Sequence, residues 1–490
     1  MDQTASSAKP HVLILPFCAQ GHIKPMFKLG QLLCHAGLRI SFVNSEHNHQ
    51  NLLRQIDLLA FQAQYPEFSF LSIPDGLAVD HPRSGLTSGD LFLPPARSVM
   101  TQHLNELITG FIGRNTKPAC IIADGVMCFA IHVAREFEIP SITFRTYSAT
   151  CTWAYFHFKT LTQEGLVPLP EGVDMDNPVT CIQGLENLLR NRDLPIMCRY
   201  KVAARAVEFF IEETSIMAQA SALLLNTFDE LEAPLISKLR SIFNKIYTIG
   251  PIHSLYKSYI KSNLPQSNGL SNTSGSLVQE ERSCMTWLES KPPKSVLYVS
   301  FGSVVELKQN QLLEFWHGLV NSEKFFLWVI RSDLISGEKD AGQNVPAELK
   351  EGTMDRGCIV SWAPQEEVLA HPAVGGFMTH SGWNSTLEGI AAGVPMICWP
   401  LISDQQVNSR CVSDIWKTGL DMKDKCDKVI IEQMVRDLME NKKDEIRISA
   451  EEKGRLAQES VEKGGSSYNN FEKLIEDIRS MALARAHESS

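Results

Sequence analysis

Residues 11–43, HVLILPFCAQGHIKPMFKLGQLLCHAGLRISFV, decide the fold. An apolar run at 11–18 leads through Gly21-His22-Ile-Lys-Pro25 into an amphipathic stretch at 26–35, which Gly37 ends, and a second apolar run follows at 39–43. A strand covered on both faces reads as continuously apolar, whereas its crossover helix carries one apolar stripe, so this stretch spells a βαβ unit. Apolar runs at 68–73, 119–123, 141–144 and 222–225, with amphipathic stretches at 99–112 and 129–138, extend the pattern into a parallel sheet. The pattern restarts after a Ser-, Asn- and Gly-rich stretch at 254–279 that lacks periodicity. Strands are expected there at 295–301, 325–331, 358–362, 376–380 and 395–399, and helices at 309–321, 385–392, 407–416 and 431–439.

The fold class is therefore α/β, two doubly wound (Rossmann-like) domains in tandem. The expected division is 1–253 for the first domain, 254–283 for a linker and 284–465 for the second. A charged segment at 444–485 reads as one or two solvated helices, with 466–490 expected to return to the first domain. At 490 residues the chain is long enough for two or three domains, and 44% hydrophobic with 21% charged residues is ordinary globular usage. A net charge of −10 offers no basic footprint for a phosphate backbone, so nucleic acid is not an expected partner. No apolar run approaches the roughly 18 to 20 residues of a membrane helix. Twelve scattered cysteines without a C-x-x-C pair fit a reducing cytosol better than a zinc site or a disulfide scaffold. Cytoplasmic residence and a monomeric state are the expectations.

Doubly wound sheets host many chemistries, so function has to come from a site. No G-x-G occurs among the 30 glycines, which disfavours a nicotinamide oxidoreductase, and Walker A, H-E-x-x-H and G-x-S-x-G are missing too. The densest constellation runs from Trp362-Ala363-Pro-Gln365 through His380-Ser-Gly-Trp383-Asn384-Ser385-Thr-Leu-Glu388 to Asp404-Gln405, three clusters at three consecutive strand ends. Ligands of open α/β sheets bind beyond such ends. Asn384 or Ser385 would cap a helix whose free amides suit a phosphate, Glu388 would face a ribose, and Trp362 could stack a base. Singly, each has a plainer reading: Trp362 as a core or rim aromatic, Asn384-Ser385 as a cap, Glu388 as a solvated residue, Asp404 as a loop acid. Their co-occurrence points to a nucleotide diphosphate.

This box resembles, without a gap, the signature of the plant secondary-product UDP-glycosyltransferases, the family 1 enzymes of GT-B architecture. Gly21-His22-Ile-Lys-Pro25 and Phe301-Gly302-Ser303 extend the likeness over most of the chain. The resemblance implies that Trp362 stacks uracil, the Ala363 backbone reads its edge, and Gln365 and Glu388 hold the ribose. It places Ser303, His380, Asn384 and Ser385 on the diphosphate, and Trp383, Asp404 and Gln405 on the sugar. Gln at the last box position implies glucose as the donor sugar. Ser381 departs from the Cys of many relatives, a change between two small residues.

His22 and Asp124 both follow strands of the first half, on the edge that faces the crevice. Each alone reads as structural; together, a carboxylate-oriented imidazole is a suitable general base, and the resemblance makes the pair catalytic. The expected reaction is an inverting displacement of UDP by an acceptor oxygen, with UDP-glucose as co-substrate and neither cofactor nor metal. A small lipophilic acceptor is expected against residues 84–97, 146–156 and 190–200, whose aromatics Tyr147, Trp153, Tyr155 and Phe156 could equally be core. Similarity leans toward terpenoid and iridoid acceptors over flavonoid or phenolic ones. Arg97, Arg145 and Arg199 are candidates for pairing with an acidic acceptor. A non-catalytic UDP-sugar binder is the competing class.

Overall fold

A computed structural model of the chain describes residues 9–81, 83, 90, 93–199, 204–263, 275, 277–303, 307–331, 353 and 356–488. Seven parallel strands form the first sheet: β1 (His11–Leu15), β2 (Arg39–Ser45), β3 (Phe68–Ile73), β4 (Cys120–Asp124), β5 (Ser141–Arg145), β6 (Ala222–Leu225) and β7 (Ile246–Thr248), in the order β3-β2-β1-β4-β5-β6-β7. Six more form the second: β8 (Val296–Ser300), β9 (Phe325–Val329), β10 (Gly357–Val360), β11 (Val374–Thr379), β12 (Met396–Cys398) and β13 (Gly419–Asp421), in the order β10-β9-β8-β11-β12-β13. Helices cover both faces of each sheet, which is why runs such as Val12–Leu15 are at most 1% exposed. In each sheet the order reverses once, at β1/β4 and at β8/β11. A doubly wound sheet opens its ligand crevice at that reversal. The register sets Leu15 beside Ala123 and Thr379 beside Ser300, so the residues that leave these four strands converge on two facing crevices.

Four expectations need correction. The first apolar run is strand only to Leu15; a helix starts at Gln20, so His22 and Pro25 lie inside Gln20–His35 rather than in a turn before it. Proline in a helix leaves the carbonyl four residues back without its donor; here Asn384 Nδ2 donates to that carbonyl, on Gly21, at 2.5 Å. The expected linker begins as the helix Ile252–Asn263, whose Ile252, Leu255, Tyr259 and Ile260 are buried at helical spacing; 264–274 and 276 lie outside the described residues. β7 and β13 were not expected: each has three residues, and neither Ile-Tyr-Thr nor Gly-Leu-Asp is a continuous apolar run, unlike the equally short β12. The charged C-terminal segment forms two helices, Lys443–Val461 and Ser466–Glu488, that are not merely solvated. Phe471, Leu474, Ile475 and Ile478 share one apolar cluster with Ile14, Ile122 and Leu224 of the first sheet.

Phe471 is fully buried in that cluster. Phe471→Ala is expected to cost about 3 to 5 kcal/mol and to lower the thermal midpoint by several degrees in calorimetry. An unchanged midpoint would show that the last helix contributes nothing to the core.

Candidate active site

His22 sits in the first turn of its helix, 13% exposed at the side chain. Its Nδ1 lies 2.8 Å from Asp124 Oδ2 and 2.9 Å from Thr146 Oγ1, while Asp124, at the end of β4, is 1% exposed and takes the Val126 N–H on Oδ1 at 3.0 Å. With Nδ1–H donated to the carboxylate, the lone pair of Nε2 is the one left for a ligand. Phe17 and Tyr147 meet the imidazole edge-on at 5.1 and 5.8 Å and fix its plane. Thr146 had no sequence signal of its own.

In the second half, Gly302 follows β8 and His380 follows β11, and the two meet across the switch point. A Cβ on Gly302 (φ +74°) would come within 2.5 Å of the His380 ring, and one on Gly382 would do the same, so both turns need glycine. His380 is buried, and its pKa is lowered to about 4 by burial and then by the charge of Arg331, so the imidazole is neutral. Arg331 in turn donates to the Ser303 carbonyl. Ser381 takes a left-handed backbone (φ +62°), and the helix Trp383–Ala391 starts immediately after, with its first amides directed at the crevice.

Around this helix the remaining box residues hold one another. Gln365 Nε2 donates to Ser385 Oγ at 3.0 Å and to Glu388 Oε2 at 2.6 Å, and Tyr298 donates to Gln365 Oε1 at 3.2 Å. The main chain of Trp362 is fixed by the Glu281 N–H at 2.8 Å. Trp383 is buried and donates Nε1 to the Asn226 carbonyl of the first half at 2.7 Å. The side chain of Asn384, beyond its bond to Gly21, accepts from Asn226 at 3.4 Å. Gln405 Oε1 takes the N–H groups of Leu401 and Ile402 at 2.8 and 2.9 Å. Asp404 is pushed up to about 6 by burial, with the Asn408 amide at 2.6 Å opposing the rise. Asn408 is a site residue the sequence reading missed: fully buried, it also donates to Ser381 O and accepts from Ser148 of the first half. Its i,i+4 spacing from Asp404 on the helix that follows was the available signal.

His22 and the entire box, from Ser303 to Gln405, line one cavity of about 870 Å³ between the sheets. Asp124 lies behind His22. The cavity is also lined by the apolar side chains of Phe17, beside His22, and of Leu93, Pro94, Ile196, Met197 and Phe209. Of the four candidate aromatics only Tyr147 reaches it; Trp153 and Tyr155 are buried in the core and Phe156 packs on Phe243. Arg97 lines the cavity and pairs with Glu213 at 2.5 Å, Arg145 is buried over Tyr147 and Tyr155, and Arg199 pairs with Asp424. Most of 84–92, and Tyr200, lie outside the described residues. Among the described residues no group of three or more His, Cys, Asp or Glu side chains could hold a metal ion.

The sequence model of the family described as UDP-glucoronosyl and UDP-glucosyl transferase matches residues 105–450. The chain is a member of this family. A 7-deoxyloganetic acid glucosyltransferase of Catharanthus roseus is 47% identical over 489 residues, 99% of this chain and 100% of its own. A myricetin 3-O-rhamnoside 1,2-glucosyltransferase of Crocosmia x crocosmiiflora is 40% identical over 99% of this chain and 98% of its own. Among solved structures, Os79 of O. sativa in complex with UDP superposes with a TM-score of 0.78 at 28% identity, over 95% of this chain and 100% of that one. The fold is thus that of the UDP-glycosyltransferases, and the enzyme takes a UDP-sugar donor and a small-molecule acceptor.

The burial of Asp404 gives a pH test. A carboxyl whose folded pKa is raised contributes stability below its unfolded pKa, near 4, and loses it as pH rises through about 6. Asp404→Asn removes a buried negative charge at pH 7.5 but replaces an already protonated group at pH 5. The variant is expected to gain thermal stability over the parent at pH 7.5 and little at pH 5. Equal changes at both values would refute a raised Asp404.

Proposed function

We propose that this UDP-glycosyltransferase moves glucose from UDP-glucose, with inversion, to a hydroxyl or carboxyl of a small lipophilic terpenoid of the iridoid class. The observation that carries the reading is that His22, backed by Asp124, stands in the same cavity as the donor box. His22 Nε2 takes the acceptor proton while the acceptor oxygen attacks the anomeric carbon; the bond from that carbon to the diphosphate breaks, and its electron pair leaves on UDP. Charge that grows on the diphosphate meets the amides opening the helix Trp383–Ala391 and an N–H of neutral His380, donors already in place. Because Asn384 spends its side chain on Gly21, we assign its diphosphate contact, like that of Ser385, to the main chain. Trp362, Ala363, Gln365 and Glu388 hold the uridine, Ser303 adds to the diphosphate site, and Trp383, Asp404 and Gln405 hold the sugar. The acceptor sits against Leu93, Pro94, Ile196 and Met197 of the cavity lining, whose aliphatic side chains suit a compact terpenoid skeleton.

The resemblance to a 7-deoxyloganetic acid glucosyltransferase supports an iridoid acceptor, and 40% identity to an enzyme of a flavonol glycoside keeps flavonoids in the test panel. No described helix is long and apolar enough to cross a membrane, and cytoplasmic residence is supported by twelve unpaired cysteines. One chain contains every group the reaction uses, so a monomer suffices.

The test is incubation of the purified protein with UDP-glucose and iridoid, other terpenoid, flavonoid and phenolic acceptors, read by mass spectrometry for an added hexose and by UDP release. Hexosylation of an iridoid with inverted anomeric configuration is expected. UDP binding without turnover of any acceptor would favour a sugar-nucleotide binder. His22→Ala should lose about 10²- to 10⁴-fold in kcat with a hydroxyl acceptor and keep its affinity for UDP. With a carboxylic acid, ionised at pH 7, the loss should be smaller. Turnover unchanged by His22→Ala would sink the mechanism.

A further inference from the structure

Glu388 is 4% exposed, and the partner it has within the second half, Gln365, is neutral. A carboxylate buried to that degree is costly unless a cation pairs with it. The cation comes from the other half of the molecule. Lys24, two residues after His22 on the helix Gln20–His35, places Nζ 2.8 Å from Glu388 Oε1 and 3.0 Å from Glu366 Oε1. Glu366 is also approached by Lys28 at 3.3 Å and Lys257 at 3.0 Å. His253 lies in the same cluster with its pKa lowered to about 4 by burial, so it adds no charge. Burial alone would lower the Lys24 ammonium, but Glu388 and then Glu366 more than offset this and hold it above its ordinary value. The Gly-His-x-x-Pro element leaves this position open, and here it carries a lysine that lines the catalytic cavity.

A carboxylate has about four lone-pair sites. Lys24 and Gln365 each use one, on different oxygens, and thereby fix the rotation of the group. We propose that Lys24 is a positioning residue for the donor, holding the Glu388 carboxylate turned so that its free lone pairs meet the ribose hydroxyls of the UDP-sugar. The first half of the molecule, which carries the base and the acceptor wall, then also completes recognition of the donor's ribose. This rests on the reading of Glu388 as the ribose ligand.

The experiment uses the full-length protein with Lys24→Met, which keeps the length and removes the charge, Lys24→Gln as a second neutral variant, Lys24→Arg and Glu388→Gln. With Lys24→Met, KM for UDP-glucose should rise about 10-fold or more, as for loss of a charge-assisted hydrogen bond, with kcat within about threefold and the acceptor KM unchanged. Lys24→Arg should recover most of the loss. The decisive readout is competitive inhibition by UDP against 2′,3′-dideoxy-UDP. The parent should prefer UDP, and Lys24→Met, Lys24→Gln and Glu388→Gln should each erode that preference, with the Lys24→Met/Glu388→Gln double variant no worse than Glu388→Gln alone. If Glu388→Gln erodes it and neither neutral Lys24 variant does, the inference is overturned while the donor reading stands. If Glu388→Gln leaves the preference intact, the ribose reading itself falls and the inference with it. A loss in kcat alone, equal for both nucleotides, would reduce Lys24 to a structural ion pair and also overturn the inference.

Discussion

Pro25 has no N–H to offer the carbonyl of Gly21, and a buried carbonyl without a donor is costly. Asn384, from the helix of the opposite sheet, supplies that donor. The hydrogen bond pins the start of the second-half helix to the start of the first-half helix. One residue after Gly21 stands His22, aimed at Asp124; two residues later stands Lys24, aimed at Glu388. A single turn of one helix thus aligns the proposed base, the carboxylate proposed for the ribose and the amides proposed for the diphosphate. A reaction whose partners come from different sheets depends on that alignment, since displacements of about an ångström can cost two orders of magnitude in rate.

The opposite rim of the crevice is registered by different chemistry. Asn408 joins the Asp404 carboxylate, the Ser381 carbonyl and the Ser148 hydroxyl, and so links the sugar end, the left-handed turn after β11 and the first half. Further along, Asp193, fully buried, pairs with Lys423 at 2.5 Å. Buried ion pairs of this kind return little net stability, because desolvation consumes most of the Coulomb gain. What this one fixes is geometry: Asp193 keeps Arg190 at 2.8 Å within the first half and Lys423 keeps Asp421 at 3.3 Å within the second, so the contact between them joins two local ion pairs in one relative placement of the halves.

The sequence was legible where physics is local. Continuous apolar runs such as 11–15 and 296–300 can only be doubly covered strands, and three polar clusters at consecutive strand ends could be read as a site before any geometry was known. It was illegible where a local cost is offset from afar. Pro25 stood ahead of the helix expected at 26–35 because its compensating donor lies more than 350 residues away, and Lys24 drew no reading because its carboxylate partner is equally remote. The stretch from 254 on read as linker through its Ser, Asn and Gly content, although Ile252, Leu255, Tyr259 and Ile260 fall on one face of the helix Ile252–Asn263. Tyr155 and Trp153 could not be told from pocket aromatics, since composition does not say which side of a helix the cavity is on; both turned out to fill the core.

Two histidines follow strands at the two switch points, and their surroundings divide the work between them. His22 faces a carboxylate through Nδ1, so a proton gained at Nε2 creates an imidazolium already paired with Asp124. His380 is buried beside Gly302 and Gly382 and lies under the influence of Arg331, so it resists a proton and offers only a neutral N–H. In the proposed displacement positive charge appears on His22 as negative charge grows on the diphosphate. A cationic His380 would bind the ground-state diphosphate tightly before any bond had broken, whereas a neutral donor strengthens its bond as charge develops there. The burial that keeps His380 uncharged therefore favours the transition state over the bound donor.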